Sequence, residues 1–517
     1  MTRAGAFERA GKGPWDIVVV GGGATGCGVA VDAASRGHSV LLLEADDFAK
    51  GTSGRSTKLA HGGVRYLQRG EFRLVAESLL ERKRLLLNAP HLARAQAFLV
   101  PAYRWWEIPY YGFGLGLYGL LSGSAGIGAS RRLDRREALE RVPTLRPEGL
   151  RGGILYFDGQ FDDARLAVAL ARTAIDHGAV CLNHAPVTGL ARDSAGRVAG
   201  VRFCDRETGR AHEATGRVVV NATGVFCDSL RRLDRPDAPP LVSPSQGTHL
   251  VLDRSFLPGD TALMVPRTSD GRVLFAIPWQ NHALVGTTDV AISEPTPEPR
   301  ATEAEVDFIL ENAGRYLRQA PARGDVLARF TGIRPLVKAA AGSTAALSRD
   351  FITREENGLL TITGGKWTTY RGMAQRATDQ AEEIGRLPRR PCRTAELRLH
   401  GYVEAAGDPS DPLACHGSEA GGIRDLMAAE PALAAPLDER FPYSAAEVVW
   451  AARREMARTV EDVLARRMRV LLLDARAAMR MAPAVARLLA AELGRDAAWE
   501  ADQARLFNDL ARGYLPD

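Results

Sequence analysis

Residues 15–44 read WDIVVVGGGATGCGVAVDAASRGHSVLLLE, and this stretch decides the fold. Ile17 to Val20 is a continuous apolar run ending in glycines, the pattern of a parallel strand buried on both faces. Ala24 to Arg36 then reads as a helix stopped by Gly37, and Ser39 to Leu43 is a second apolar strand ending at Glu44. At the first junction Gly21-Gly22-Gly23-Ala24-Thr25-Gly26 forms a G-x-G-x-x-G. Gly21 permits the tight turn, Gly23 lets backbone reach a pyrophosphate, and Gly26 lets helix and strand pack closely, while the helix N-terminus supplies oriented N–H donors. Glu44 follows Gly26 by 18 residues (44 − 26). A carboxylate there accepts hydrogen bonds from ribose hydroxyls and repels a 2′-phosphate, so the unit reads as an adenine-dinucleotide site that disfavours NADP.

Working outward, Val218 to Val220 is another buried-strand run and leads into Asn221-Ala222-Thr223-Gly224. This turn resembles the second nucleotide-contacting turn of flavoproteins with two dinucleotide folds, and Val187 resembles their adenine-contacting backbone position. With the first motif, Ala222, Thr223, Gly224 and Val187 favour FAD over NAD. The run from Thr52 to Leu67 is rich in hydroxyls and glycines; Thr52, Ser53, Ser56, Lys58, Leu59, His61 and Gly62 are candidates to line the pyrophosphate and the flavin edge. Arg65 and Tyr66 offer an anion contact and a hydroxyl.

Composition limits the alternatives. With 517 residues, 45% hydrophobic and 25% charged, the chain matches an average soluble multi-domain protein rather than a disordered, collagenous or polytopic one. The net charge of +5 comes from arginine, since the only lysines are Lys12, Lys50, Lys58, Lys83, Lys338 and Lys366. No basic helix or stripe argues for nucleic acid. The six cysteines show neither C-x-x-C pairs nor metal-ligand spacing, so no metal site is expected and reduced thiols in a cytosolic compartment fit. The first 14 residues lack the apolar core of a signal peptide.

The pattern predicts an α/β protein: an FAD-binding Rossmann-like domain (15–100, 150–235 and 330–386), an inserted, mainly antiparallel substrate domain (101–149 and 236–329), and a separate C-terminal helical domain (392–517). Leu359 to Thr363 reads as a strand returning to the first domain, and Glu71 to Leu87 as an amphipathic helix. Ile108 to Ser130 carries no charge but is broken by seven glycines and a proline. A membrane span, a membrane-surface insertion and a buried glycine-rich helix pair all remain open for it.

Several motifs in order now identify a resemblance. Val19 to Gly28, Ser56 to Leu67, Asp162 to Leu166, Gly247-Thr248-His249, Gly286 to Asp289, Thr331 to Leu336 and Thr363 to Arg371 together resemble the FAD-dependent glycerol-3-phosphate dehydrogenases, within the wider D-amino-acid-oxidase-like flavoproteins. The resemblance implies oxidation of sn-glycerol 3-phosphate to dihydroxyacetone phosphate, with electrons passed to a membrane quinone. It further implies a cytoplasmic enzyme peripheral on the inner face of the cell membrane, and leaves a homodimer open. A phosphate dianion needs convergent cations, and Arg65, Arg334 and Lys366 stand in the matching motifs, with Tyr66 and Thr288 as further substrate contacts. His249 is the first candidate base for the C2 hydroxyl, because imidazole titrates near neutrality, and Lys366 is the competitor. Gly364 and Gly365 follow a strand and precede a helix-like run, so their N–H groups, beside Lys366, could face the flavin N1/O2 edge and favour its reduction. Two alternatives remain: a related oxidase that uses dioxygen, and a flavoprotein that binds a partner and uses FAD structurally.

Overall fold

The structure is a computed structural model that describes residues 2–63, 70–338, 351–404, 407–408 and 411–516. The strand Trp15–Val20 pairs in parallel with Val40–Leu43 on one side and Ala211–Asn221 on the other. Leu359–Gly364 continues the parallel set beyond Ala211–Asn221, and Val180–Leu182 closes the other end. The apolar runs of these strands are buried on both faces, one under helices and the other under the strands Val187–Arg192 and Val198–Cys204 with the short helices Arg3–Ala10 and Cys227–Asp234. Ala24–Ser35 lies on the first of these faces with the returning helix Tyr370–Ile384 packed across it, so that Gly28 abuts Tyr370 and Ala374.

A second, larger sheet is mostly antiparallel and runs Val290–Ala291, Val242–Asp253, His282–Gly286, Leu274–Trp279, Ala262–Val265, Ala93–Ala102, Gly152–Phe161 and Leu59–Ala60. Val326–Val337 pairs along almost the full length of Val242–Asp253. Successive residues here serve opposite faces, as strand geometry requires. Leu250 and Leu252 pack toward the helix Glu303–Gly314, whereas Val251 packs with Ile277, Leu284 and Ala328 against the C-terminal helices.

Three boundaries expected from sequence change, the one at 150 because the strand that follows it, Gly152–Phe161, belongs to the second sheet. Residue 100 falls inside the strand Ala93–Ala102, which pairs with Gly152–Phe161 in the second sheet, and residue 330 falls inside Val326–Val337 of that same sheet. An apolar run announces a buried strand but not which sheet it joins, because its pairing partner lies far away in sequence. The C-terminal helices pack directly on this sheet. Val448, Leu464, Leu471 and Met481 share one apolar core with Trp279 and Phe330 of the second sheet.

The C-terminal region also meets the first sheet through buried charge. Arg466 and Arg467 reach the Asp47 carboxylate at 2.6 and 2.5 Å, and His184 meets Asp462 at 2.9 Å. Burial pulls the His184 pKa down, but the Asp462 carboxylate more than offsets this and leaves it raised. The same charges, arginines included, hold Asp462 well below the usual carboxylate range against its burial.

Two outcomes are expected. In Gly26→Ala the new Cβ would sit 1.8 Å from the Gly21 carbonyl oxygen. Urea unfolding should show a loss beyond the roughly 1–3 kcal/mol of an ordinary over-packed core. Because the folded pKa of His184 is raised, its pairing stabilises fully below about pH 6.5 and is lost as pH rises through the raised value. Calorimetry should therefore find that His184→Gln flattens the decline of Tm above that pH.

Candidate active site

A cavity of about 2180 Å³ opens along the seam between the two sheets. Small-molecule pockets usually measure about 300–1000 Å³, so this one has room for a dinucleotide and a substrate together. Its floor is the glycine turn. Gly21 holds φ +107°, and Gly26 is the close-packing residue of the set, with its Cα side pressed on the Gly21 carbonyl and no share of the cavity wall. Glu44 lines the cavity, and its carboxylate accepts from the N–H groups of Gly22 (2.5 Å) and Asp46 (2.9 Å). Burial raises its pKa against those two hydrogen bonds.

Of the other cofactor candidates, Gly23, Thr52, Ser53, Ser56, Leu59, His61, Val187, Ala222, Thr223, Gly224, Gly364, Gly365 and Lys366 all line this one cavity. Ser53 Oγ accepts from Ala24 N at 2.9 Å, which caps the helix behind the glycine turn. The Asn221 side chain is fully buried and organises the second turn, accepting from Thr223 and donating to the Cys227 carbonyl and Thr361.

Lys58 and Gly62 are corrections. The Lys58 side chain is wholly buried behind the wall, its ammonium 2.6 Å from Asp163, and Gly62 turns its N–H to the Tyr118 hydroxyl at 2.8 Å. Neither residue faces the cavity, because each is committed to a buried partner that the local sequence does not reveal. Burial pulls the Lys58 ammonium down to about 7 despite Asp163.

The second sheet supplies the polar end of the cavity. Ser245 to His249 pairs with Phe330 to Arg334, which sets His249 and Arg334 along the same pair of strands. Arg334 donates to Asp289 (3.2 Å) and Thr287 (3.1 Å), and lies so close over Gly247 that a Cβ there would meet its guanidinium at 2.4 Å. His249 stacks on Phe330 with centroids 4.9 Å apart, and its Nε2 shares a hydrogen bond of 2.9 Å with the Thr57 hydroxyl. Its Nδ1 is buried and has no hydrogen-bond partner among the described residues. Burial, followed by the charges of Lys58 and Arg334, holds this imidazole well below its usual range. It is therefore neutral at working pH and titrates below the near-neutral range expected from sequence.

Thr288 also lines the cavity. Its hydroxyl donates to Glu305 (2.6 Å) and accepts from Thr248 N (2.8 Å), so it braces the strand beside His249. Arg65 and Tyr66 lie outside the described residues. Sequence reading missed Thr57, Phe330, Glu305, Asp163 and Arg469; Asp163 was at least inside a quoted motif, whereas nothing local marks Arg469.

The FAD-dependent oxidoreductase family matches residues 16–380, and the C-terminal domain of alpha-glycerophosphate oxidase matches residues 364–500. A probable mitochondrial glycerol-3-phosphate dehydrogenase of Caenorhabditis elegans is 40% identical, covering 99% of this chain and 76% of its own. The mitochondrial glycerol-3-phosphate dehydrogenase SDP6 of Arabidopsis thaliana is 42% identical over 93% of this chain and 83% of its own. Among solved structures, the glycerol-3-phosphate dehydrogenase of Bacillus halodurans complexed with FAD superposes with a TM-score of 0.81 at 29% identity, covering 99% of this chain and 97% of that one. The chain belongs to the FAD-dependent glycerol-3-phosphate dehydrogenase family.

The cavity fits the cofactor of this dehydrogenase family. Gly21 and Gly23 leave bare backbone in the cavity wall where a pyrophosphate would lie, the Glu44 carboxylate lines the wall where it would meet a ribose, and the Asn221 turn faces them from the neighbouring strand. Two measurements check the polar end. Arg334→Ala should raise KM for glycerol 3-phosphate by roughly 10- to 150-fold, the 1.5–3 kcal/mol of a charged hydrogen bond, while FAD stays bound. A base at His249 would be active above its depressed pKa. The acid limb of the kcat/KM profile should fall well below pH 6.5 and vanish in His249→Ala, with kcat reduced by about 10²–10⁴.

Proposed function

We propose that the enzyme oxidises sn-glycerol 3-phosphate to dihydroxyacetone phosphate and passes the electrons to a membrane quinone. One observation carries this reading: His249 and Arg334 from the second sheet and Lys366 from the end of the first converge on the cavity that contains the glycine turn. When bound, FAD accepts the hydride from substrate C2. Arg334 and Lys366 hold the phosphate, Arg334 kept in orientation by Asp289 and Thr287. The neutral His249 takes the C2 hydroxyl proton, with Thr57 and Phe330 fixing the Nε2 edge and the face of its ring. Gly364 and Gly365 turn their backbone at the cavity wall with positive φ, +87° and +71°, and offer N–H groups to developing negative charge.

The helix Glu107–Ser122 supports quinone access and a peripheral location on the inner face of the cell membrane. Tyr110, Tyr111, Phe113 and Leu115 line the cavity, while Phe113 and Leu120 are 78% and 77% exposed. It is one partly exposed helix followed by a short 3₁₀ turn, in place of a buried pair. Among the described residues no helix is long and apolar enough to cross a membrane. The fit is therefore to an apolar face lying on a membrane surface.

The test is anaerobic. Glycerol 3-phosphate should bleach the visible flavin absorbance, and a soluble quinone analogue should restore it with turnover. Failure to bleach contradicts the substrate, and peroxide formation independent of quinone would assign the protein to the oxidases.

A further inference from the structure

Arg55, Ser56 and Thr57 line the cavity, yet the loop Gly54 to Lys58 that carries them is secured from behind by a carboxylate the reaction does not touch. Asp163 is fully buried at the first turn of the helix Asp163–Asp176, where the helix dipole favours its charge. Its Oδ2 accepts from the Ser56 hydroxyl (2.7 Å), the Ser56 N–H (3.0 Å) and the Lys58 ammonium (2.6 Å). Its Oδ1 accepts from Arg469 at 2.7 Å, and the same guanidinium nitrogen donates to the Gly54 carbonyl at 2.8 Å. Arg469 belongs to the C-terminal region, is 1% exposed, and adopts φ +68°, a conformation that turns the chain and marks a position fixed by its surroundings. The loop thus carries Thr57 to His249 while both its ends are tied to Asp163 or Arg469.

We propose that Arg469 is a positioning residue through which the C-terminal helical region fixes the 54–58 loop, and with it Thr57 and the imidazole of His249. The helical region is then a part of the reacting site and not an appended module. This rests on the reading that the cavity is where FAD and glycerol 3-phosphate meet. Flavin affinity and spectrum, measured without substrate, report on the loop even if that reading fails, in which case the wild-type enzyme itself would show no turnover.

The experiment uses the full-length holoenzyme with three variants. Arg469→Gln should weaken FAD binding, shift the visible flavin bands and lower kcat on the order of 10–100-fold, with a smaller change in KM. Arg469→Lys should recover part of each. Arg165→Gln is the structural control: it breaks an equally buried junction with the same region, at Glu455 (2.7 Å), but does not touch the loop. It should lower Tm while leaving FAD affinity and the flavin spectrum as in the wild type. If Arg469→Gln does not fold, Ser56→Ala decides, since it removes one loop donor from Asp163 and should shift the flavin bands and kcat in the same direction. Wild-type flavin affinity, spectrum and kcat in folded Arg469→Gln, or in Ser56→Ala where that variant decides, overturn the proposal. Equal losses in Arg165→Gln overturn it as well.

Discussion

A carboxylate withdrawn from water must be answered by protein donors or it costs several kcal/mol. Asp163 is where this molecule meets that demand at the centre of its structure. The donors come from the cavity loop and from the C-terminal region, so neither settles without the other. Lys58, drawn into the same place, sits 5.2 Å from the rings of both Trp279 and Phe330, and Phe330 in turn stacks on His249. One buried charge therefore joins the first sheet's helix, the second sheet's strands and the helical tail.

The two sheets contribute different chemistry to the seam between them. Parallel strands end in turns whose bare backbone and helix N-termini suit a pyrophosphate. Gly21 to Gly26 and the Asn221 turn lie there side by side because Val20 pairs with Asn221. Antiparallel pairing instead keeps side chains in register over many residues, and so His249 and Arg334 are held on neighbouring strands with Gly247 and Gly286 making room for them. Only where the sheets meet can a cation pair, a neutral imidazole and a flavin-binding turn share one cavity.

The glycine turn, Glu44, the second turn at Asn221 and the returning strand Leu359–Gly364 were legible in the sequence, because each carries its own local pattern of apolar runs and glycines. Most of the wall residues were legible for the same reason once the motifs stood in order. Lys58 was misplaced because a lysine in a polar loop gives no sign that its ammonium turns inward to Asp163, 105 residues away. Thr287 and Thr288 are equivalent in sequence, and only the fold shows that the first hydroxyl meets Arg334 and the second Glu305. The low pKa of His249 likewise depends on charges from Lys58 and Arg334 that come together only on folding. Arg469 had no local signal at all.

The central claim is that the phosphate and the reacting carbon of one substrate sit at the seam between the sheets. A crystal structure of the FAD-bound enzyme with glycerol 3-phosphate tests it most directly. The account predicts the phosphate against Arg334 and Lys366 with the C2 hydroxyl within hydrogen-bond reach of the His249 imidazole. A phosphate bound away from Arg334, or a C2 hydroxyl that His249 cannot reach, would contradict it.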